Sequence, residues 1–349
     1  MTFQISLLQE VTKENAEKNV LISPVGIYHL LSLAANGANR TTFVELLKTL
    51  QSEDINGLND VNKNIAKQIG RLSTVEMANA VFAKFETEKE FIDATKKYSA
   101  KIEVLKDADQ VNSWCAEATH DKIKTIVDTL NSDDLMVMLN ALYFKGEWKK
   151  EFDANLTKKR VFKNLNKEEK EVDFMNNTEK FDYFANDDLQ AVSLDYKKDN
   201  LKAVVILPKK AELADFVKDL TEEKYTEIVK GLKNQKIIIG LPKFGFEFEA
   251  DLIPNLSNLG IKQAFTDSAD FSVMKKENDL SIKRFLHKTF LNVDEKGTEA
   301  GAASAAVVTR DFDPSLPLMN IDHPFLFIIR SEKMPVGHDM VFAGKVEKI

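Results

Sequence analysis

A stretch of small residues near the end of the chain constrains its fold more than any other feature. From Glu295 to Ala306 the side chains are mostly short, and none is charged after Glu299. Side chains of an extended chain alternate between two faces, so one face of this stretch carries Thr298, Ala300, Ala302, Ser304 and Ala306. Such a stretch holds a fixed loop shape poorly. It can, however, enter a β-sheet, where every backbone N–H and C=O finds a partner.

Two segments follow this stretch. The first favours strand formation, and the second is suited to proteolysis. Residues 307–309 read Val-Val-Thr, which raises the β-propensity. Residues 309–314 are polar and rich in turn formers, a composition suited to cleavage. A latent strand joined to such a bait segment indicates a protein that changes shape after it is cut.

Composition narrows the class of protein. The chain has 349 residues, of which 44% are hydrophobic and 30% are charged, as expected for a globular protein with an ample core. Its net charge of −7 argues against nucleic acid or an anionic membrane as the partner. No apolar run reaches the roughly eighteen residues of a membrane-spanning helix, so we predict no membrane span.

The location of the protein is predicted from its start and its cysteine content. The first ten residues resemble the beginning of an amphipathic helix and lack the features of a secretion signal. Cys115 is the only cysteine, which excludes an internal disulfide and favours a reducing compartment. We predict a cytoplasmic protein, or one secreted without a visible signal peptide. An extracellular location stays open if the chain is a mature form, because several Asn-x-Ser/Thr sequons point that way.

Helical patterns dominate the first third of the chain. Ser23-Pro24 precedes an apolar helical pattern, as expected for a helix with proline in its first turn. A second pattern with polar starting residues begins at Thr41, and residues 111–127 keep a 3.6-residue period. Cys115 falls on the apolar face of this last pattern, which predicts a packed core thiol rather than a nucleophile.

Strand patterns dominate the remainder. Residues 135–144 form a long apolar run, typical of a strand buried on both faces. Shorter apolar runs at 203–208 and 236–242 end at proline, and 325–330 with 340–344 predict a terminal hairpin. Helical patterns come first in the chain and strand patterns later, and the two do not alternate strictly. This order predicts an α+β fold.

The chain shows no repeat and no long linker, which predicts a single domain over residues 1–349. Only about 295–320 lacks a clear element. A segment of that length inside a compact domain is usually functional, so we predict a mobile loop there.

Several sequence blocks together resemble the serpin family, over nearly the whole chain. Asp294–Ala300 closely resembles the hinge of the serpin reactive loop, and Leu139–Trp148 is similar to a strand of the serpin central sheet. The further blocks that match in order and spacing are 19–24, 241–244, 259–265, 269–272, 323–327 and 342–346.

The resemblance implies a serpin fold, with three β-sheets, about nine helices and an exposed reactive loop over a five-stranded central sheet. It also implies an irreversible suicide-substrate inhibitor of serine proteases, with cysteine proteases as a further class. The cleaved loop would insert into the central sheet and trap the acyl-enzyme. The alternative is a non-inhibitory serpin that acts as a binding, storage or chaperone protein. Neither interpretation makes the chain an enzyme.

The resemblance also assigns roles to individual residues. The loop hinge comprises Glu295, Gly297, Thr298, Glu299, Ala300, Gly301, Ala302, Ala303 and Ser304. Its small inward residues favour the inhibitory type, because a buried unpaired charge would oppose insertion. Gly301 departs from the usual alanine, at a position that faces outward. A polar cluster beneath the opening sheet comprises Ser23, Asn140 and His287, with Trp148 at the top of the sheet. Gly26 stands where the family usually has a second serine of this cluster.

The position of the reactive bond stays open among three residues. Asp311 is the seventeenth residue counted from Glu295, the spacing most common in inhibitory serpins, and implies an aspartate-directed protease. A spacing one shorter implies cleavage after Arg310 by a trypsin-like protease. Those two rank nearly equal, because trypsin-like enzymes are far more common. Cleavage after Phe312 by a chymotrypsin-like protease ranks third.

No other chemistry emerges from the sequence. The five histidines lack metal-ligand spacing, and no nucleophile elbow, P-loop or dinucleotide motif occurs. We therefore predict no cofactor and no metal. The basic cluster Lys158–Arg160 is short, so a polyanion cofactor is not expected. We predict that the protein is a monomer and that its partner is a target protease.

Overall fold

A computed structural model of the chain describes residues 1–98, 100–277, 280–298, 313–335 and 337–349. Within these ranges it contains nine α-helices, which are α1 Phe3–Glu14, α2 Pro24–Gly37, α3 Arg40–Thr49, α4 Ile55–Ile69, α5 Lys89–Thr95, α6 Ala108–Ala118, α7 Leu213–Lys218, α8 Glu222–Gly231 and α9 Ile253–Asn258. Short 3₁₀ turns lie at Lys96–Tyr98, Ala154–Leu156 and Gln263–Phe265.

Polar side chains start several of these helices. Ser23 accepts a hydrogen bond from the backbone N–H of Gly26 at the start of α2, and Pro24 occupies the first turn as predicted. Asp54 and Asp107 cap α4 and α6 in the same way. No helix of the described ranges has both the length and the apolar character needed to cross a bilayer.

Sixteen strands occur in the same described ranges. They are β1 Val20–Ile22, β2 Val75–Ala83, β3 Lys101–Val104, β4 Met136–Phe144, β5 Gly146–Glu147, β6 Lys158–Lys163, β7 Glu169–Ala185, β8 Leu189–Asp195, β9 Leu201–Pro208, β10 Lys233–Pro242, β11 Phe244–Asp251, β12 Arg284–Val293, β13 Gly297–Thr298, β14 Leu318–Asn320, β15 Phe325–Ser331 and β16 Met340–Val346.

The central sheet has five main strands in the order β3-β2-β4-β12-β11. β4 and β12 run parallel, with partners from Val137↔Arg284 to Leu142↔Thr289, and we call this pairing the β4–β12 seam. Beyond Thr289 the two strands no longer pair, and the short strands β5 and β13 lie at that end. The sheet is thus closed along the seam and occupied by a third segment at its top.

The other strands form one hydrogen-bonded sheet with two parts. The order is β1-β16-β15-β9-β8-β7-β10-β14, and β6 pairs with β7. β7 is seventeen residues long and pairs with β6 and β10 along most of its length before it pairs with β8 at its end. The expected three sheets are therefore present, with two of them joined through β7. The predicted α+β fold is confirmed.

Both faces of β4 are covered, which explains its continuous apolar run. α2 packs on one face and α6 on the other. The core layer between α6 and the sheet contains Cys115 of α6, Phe82 of β2 and Leu286 of β12. Cys115 is completely buried, as predicted, and burial raises the pKa of its thiol to about 12. Such a thiol stays protonated and unreactive at neutral pH.

Three predictions from the sequence were wrong in detail. The first third is not only helical, because β1, β2 and β3 lie within it. Apolar and polar residues alternate too little in these strands to predict them. Residues 123–127 do not continue α6. Ile126 and Val127 instead donate backbone hydrogen bonds to the side chain of Asn112. The segment 295–320 contains β13 and β14, both two or three residues long and stabilised by distant strands.

Candidate hinge and sheet-opening site

The hinge enters the top of the central sheet. Gly297 and Thr298 form β13, which pairs with Val293 of β12 on one side and with Gly146 and Glu147 of β5 on the other. Both residues are buried. The backbone of the hinge thus already occupies the place between the two strands that diverge above the seam.

Gly297 is required by the closeness of this approach. A Cβ at this position would lie 2.0 Å from the carbonyl oxygen of Gly146 and 2.8 Å from Cα of Glu147. Both are backbone atoms, which cannot move aside as the tip of a side chain can. The sequence pattern singled out Gly297, and this contact gives the physical reason for it.

The side chain of Thr298 ends in a buried hydrogen bond. Its hydroxyl lies 2.8 Å from the hydroxyl of Tyr196. The ring of Tyr196 stacks on Trp148, with centroids 4.5 Å apart and planes 21° apart. Burial raises the pKa of Tyr196, and the bond to Thr298 offsets only part of this rise. The Tyr196 hydroxyl therefore stays protonated and available for the bond.

Trp148 anchors the chain on the N-terminal side of β13. Its backbone N–H donates to the carbonyl of Lys296 at 2.8 Å, and its indole Nε1 donates to the carbonyl of Asp294 at 3.0 Å. The side chain is 1% exposed. Trp148 therefore lies where the hinge enters the sheet.

Glu295 holds the base of the hinge. Its Oε1 accepts from Thr157 Oγ1 at 2.9 Å, and its Oε2 pairs with Lys243 Nζ at 2.9 Å. Its backbone carbonyl accepts from the N–H of Phe152 at 2.8 Å. Burial by itself would raise the pKa of Glu295, but the hydrogen bonds from Lys243, from its own backbone N–H and from Thr157 together outweigh burial and leave that pKa lowered. The carboxylate stays ionised and tied to two neighbours.

The predicted polar cluster lies in the seam below the hinge. His287 of β12 and Asn140 of β4 are direct cross-strand partners. His287 Nε2 accepts from the backbone N–H of Ser23 at 3.2 Å, and Asn140 Nδ2 donates to Asn79 Oδ1 at 2.7 Å. Ser23 contributes through its backbone, because its hydroxyl caps α2. These bonds join Ser23, the residue that follows β1, to β12, and β2 to β4, across the closed part of the sheet.

The cluster is incompletely bonded. The Asn140 amide fills the space beside Gly26, where a Cβ would lie 2.6 Å from Nδ2 and 2.8 Å from Oδ1. Asn140 Oδ1 and His287 Nδ1 are buried without a hydrogen bond of good geometry to any described residue. Burial lowers the pKa of His287 to about 3, although backbone groups of Asn140 and Leu21 oppose this shift. The ring is thus neutral at neutral pH.

The structure brings the predicted site residues into two groups. Glu295, Gly297, Thr298 and Trp148 meet at the hinge, and Ser23, Asn140 and His287 meet in the seam. The remaining predicted residues lie outside the described ranges. These are the hinge residues Glu299, Ala300, Gly301, Ala302, Ala303 and Ser304, and the reactive-bond candidates Arg310, Asp311 and Phe312.

Sequence reasoning missed three partners of these groups. Asn79, Tyr196 and Lys243 each bond to a predicted residue from a distant part of the chain. Asn79 had a signal, since it is the polar residue inside the apolar stretch Met77–Ala83. In the described part of the chain, no group of three or more His, Cys, Asp or Glu side chains is placed to hold a metal ion.

The described chain thus combines a five-stranded central sheet with a short hinge segment that pairs between two diverging strands. A family model described as "Serpin (serine protease inhibitor)" matches residues 1–349, and the chain belongs to the serpin family. As a family, serpins are protease inhibitors rather than catalysts.

Individual relatives agree with this assignment. The chain is 32% identical to Serpin B6 of Macaca fascicularis, over 99% of the chain and 96% of that protein. It is 32% identical to the leukocyte elastase inhibitor of Xenopus tropicalis, over 94% of the chain and 93% of that protein. Among solved structures, the native state of the thermophilic serpin tengpin superimposes with a TM-score of 0.91 at 27% identity, covering 100% of this chain and 92% of that one. The resemblance drawn from the sequence blocks is thereby confirmed.

Proposed function

We propose that this serpin is an irreversible, single-use inhibitor of serine proteases, with cysteine proteases as a further class. The observation that carries the proposal is the position of Gly297 and Thr298, already paired between β12 and β5 directly above the β4–β12 seam. The relative named as an elastase inhibitor supports a protease as the partner. A further strand that grows from β13 would continue down the seam.

The first step is ordinary proteolysis. The protease nucleophile attacks the carbonyl carbon of the scissile bond, a carbon–nitrogen bond breaks, and the new amine leaves with a proton. The acyl-enzyme keeps the hinge-side segment attached to the protease. Cleavage after Arg310, Asp311 or Phe312 would select a trypsin-like, an aspartate-directed or a chymotrypsin-like enzyme, respectively.

The second step is insertion of the freed segment into the sheet. Each inserted residue gains up to two ladder hydrogen bonds, worth roughly 0.5–1.5 kcal/mol net each. Ordering the backbone costs about 1–2 kcal/mol per residue. Because these terms nearly cancel, relief of strain in the intact molecule and burial of small side chains drive the step. A large charged residue at Thr298 would block it.

The seam is the barrier to this step. To admit a strand, His287 must separate from Asn140, and the bond from Ser23 to His287 must break or shift with β12. The two atoms of the cluster that lack a hydrogen bond of good geometry make the closed seam less stable than a fully bonded one. We propose that this incomplete bonding eases the opening, with Gly26 as its cause.

The remaining expectations form part of the same proposal. The chain acts as a single domain over residues 1–349 and as a monomer, without a cofactor, and its partner is neither nucleic acid nor a membrane. We place it in the cytoplasm. The net charge of −7 and the single cysteine support these assignments.

The test compares wild-type protein, which should trap a protease covalently, with a variant that should not. Wild-type protein is mixed with trypsin-like, chymotrypsin-like and aspartate-directed proteases, and complexes are resolved on denaturing gels. We expect an SDS-stable complex with one class, and mass spectrometry of the released C-terminal fragment identifies the bond. Thr298→Arg should be cleaved at the same bond without trapping. Thr41→Arg, the same change at an exposed position of α3, should trap normally.

Two results would contradict the proposal. If no protease of the panel forms a stable complex, the inhibitory function is excluded for these classes. If wild type is cleaved without trapping and gains no heat stability, the chain behaves as a non-inhibitory serpin that binds, stores or chaperones another molecule.

A further inference from the structure

Three lysines lie between the two ends of segment 299–312. At one end, the carbonyl of Glu295 accepts from Phe152, two residues after Lys150. At the other end, the chain after Asp313 joins β14, whose Leu318 pairs in parallel with Ile238 of β10, two residues after Lys236. Lys150 donates a hydrogen bond to the carbonyl of Lys180, and Lys180 is the cross-strand partner of Lys236. We call Lys150, Lys180 and Lys236 the lysine row.

The pairing of Lys180 with Lys236 is unfavourable by itself. The two residues lie directly opposite each other on β7 and β10, so their side chains share one face, and both are exposed. Like charges at directly opposite positions destabilise a sheet. In the described part of the chain, neither ammonium group forms an ion pair within 4.0 Å, so the repulsion is not cancelled by a close carboxylate.

Two carboxylates close to the lysine row already have partners. Asp182 accepts from Asn234 at 3.1 Å and from Lys202 at 3.4 Å. Asp313 accepts from the hydroxyl of Ser315 at 2.6 Å and from its N–H at 3.0 Å. These bonds from Ser315, with a smaller contribution from Lys236, lower the pKa of Asp313. These two carboxylates face the three ammonium groups of the lysine row, and Asp182 also pairs with Lys202, so positive charge is in excess among these groups.

We propose that the lysine row is a secondary docking surface for an acidic patch on the target protease. The inference rests on the proposed function, because a protease whose active site holds residues 310–312 must lie beside Asp313 and hence beside Lys236. Opposite charge at this place accelerates encounter and orients the partner. An acidic partner also offsets the repulsion between Lys180 and Lys236. The row thus adds specificity that the loop sequence alone does not carry.

The experiment separates docking from trapping. Catalytically silenced proteases of the same panel, with the active-site Ser or Cys replaced by Ala, are immobilised, and association rates are measured for wild type and Lys180→Ala/Lys236→Ala. We expect association of the double variant to be about three- to tenfold slower at low salt, with the difference shrinking toward ~0.5 M salt as charges are screened. Its melting temperature should equal or exceed that of wild type.

The control carries the same change of charge elsewhere. Lys63→Ala/Lys67→Ala removes two exposed lysines from α4 and should associate like wild type. Equal rates for wild type and the row variant would overturn the inference. Absence of binding to every panel member would do the same. If the row variant binds slowly while wild type binds without ever forming a covalent complex, the docking surface stands and the trapping function fails. Loss of sulfated-polysaccharide binding in the row variant, with unchanged protease association, would also overturn the inference.

Discussion

At the scale of single residues, the least expected feature is a fully buried ion pair near the C-terminus. Lys345 and Glu347 are both 0% exposed. Lys345 Nζ lies 3.0 Å from Glu347 Oε1 and donates to the carbonyl of Ala16 at 2.8 Å. Burial lowers the pKa of Lys345 and raises the pKa of Glu347, while their mutual attraction opposes both shifts. Each charge is therefore tolerated only because the other is present.

Removal of one member of this pair should destabilise the protein strongly. Lys345→Met leaves the Glu347 carboxylate buried and uncompensated, which typically costs about 3–5 kcal/mol. Lys345→Met/Glu347→Leu removes both charges and should recover most of that loss. Urea unfolding of wild type and both variants measures the difference. A double variant as unstable as the single one would show that packing, rather than charge, dominates at this position.

The bond between Tyr196 and Thr298 gives a second prediction at this scale. Tyr196→Phe leaves the buried Thr298 hydroxyl without its partner, at a cost of about 1–3 kcal/mol. In Tyr196→Phe/Thr298→Val both polar groups are absent, and we expect the cost to be largely recovered. A double-mutant cycle compares the thermal midpoints of wild type, Tyr196→Phe, Thr298→Val and the double variant. Strictly additive effects would mean that the two hydroxyls do not interact.

At the scale of elements, β13 shows how little local sequence a strand needs. Two residues form it, and Asp294 supports it by accepting from the backbone N–H groups of Lys296 and Gly297. Burial raises the pKa of Asp294, and these two bonds offset part of the rise. The strand exists because β5 and β12 supply backbone partners on both sides.

Gly297→Ala should expel β13 from the sheet. The new Cβ would collide with the backbone of Gly146 and Glu147, so the hinge must withdraw. We expect loss of hydrogen-exchange protection at residues 297–298 and a red shift in Trp148 fluorescence. Gly57→Ala is the control, since a Cβ there meets only ordinary contacts at 3.7 Å or more. That helix substitution should be neutral or stabilising, by up to about 1 kcal/mol. Retained protection in Gly297→Ala would contradict the steric argument.

At the scale of the whole molecule, buried histidines connect stability to pH. Burial lowers the pKa of His287 to about 3 and of His338 to about 4, where Asp339 opposes the shift, and it also lowers that of His29. All three are neutral in the folded protein and take up a proton on unfolding below their ordinary pKa near 6.5. The pKa of His323 shifts in the opposite direction, because the hydrogen bond to Asp322 raises it.

Stability should therefore fall as the pH drops from about 6.5 toward 4. Each histidine that is neutral only in the folded state contributes a loss of up to about 1.4 kcal/mol per pH unit. His287→Gln keeps an acceptor in the seam and removes one of these groups, so its stability should fall less steeply. Urea midpoints of both proteins at pH 7 and pH 5 measure the slopes. Identical slopes would mean that His287 is not protonated on unfolding.

Much of the architecture was predictable from local patterns, and much of the site was not. The doubly covered strand β4, the terminal hairpin of β15 and β16, and the buried Cys115 follow from apolar spacing. The partners Asn79 and Tyr196 do not, because their bonds join positions 61 and 102 residues apart in the chain. Periodicity carries no information about such pairs.

The sequence by itself determined the small side chains of the hinge, the helix caps and the alternation of its strands, since these depend on a residue and its nearest neighbours. Only the tertiary structure decided that Gly297 lies against Gly146, that Thr298 bonds to Tyr196 and that the polar cluster is incompletely bonded. Those contacts depend on the register between strands from distant parts of the chain. Register is set by the packing of the whole sheet, and therefore by all of its strands together.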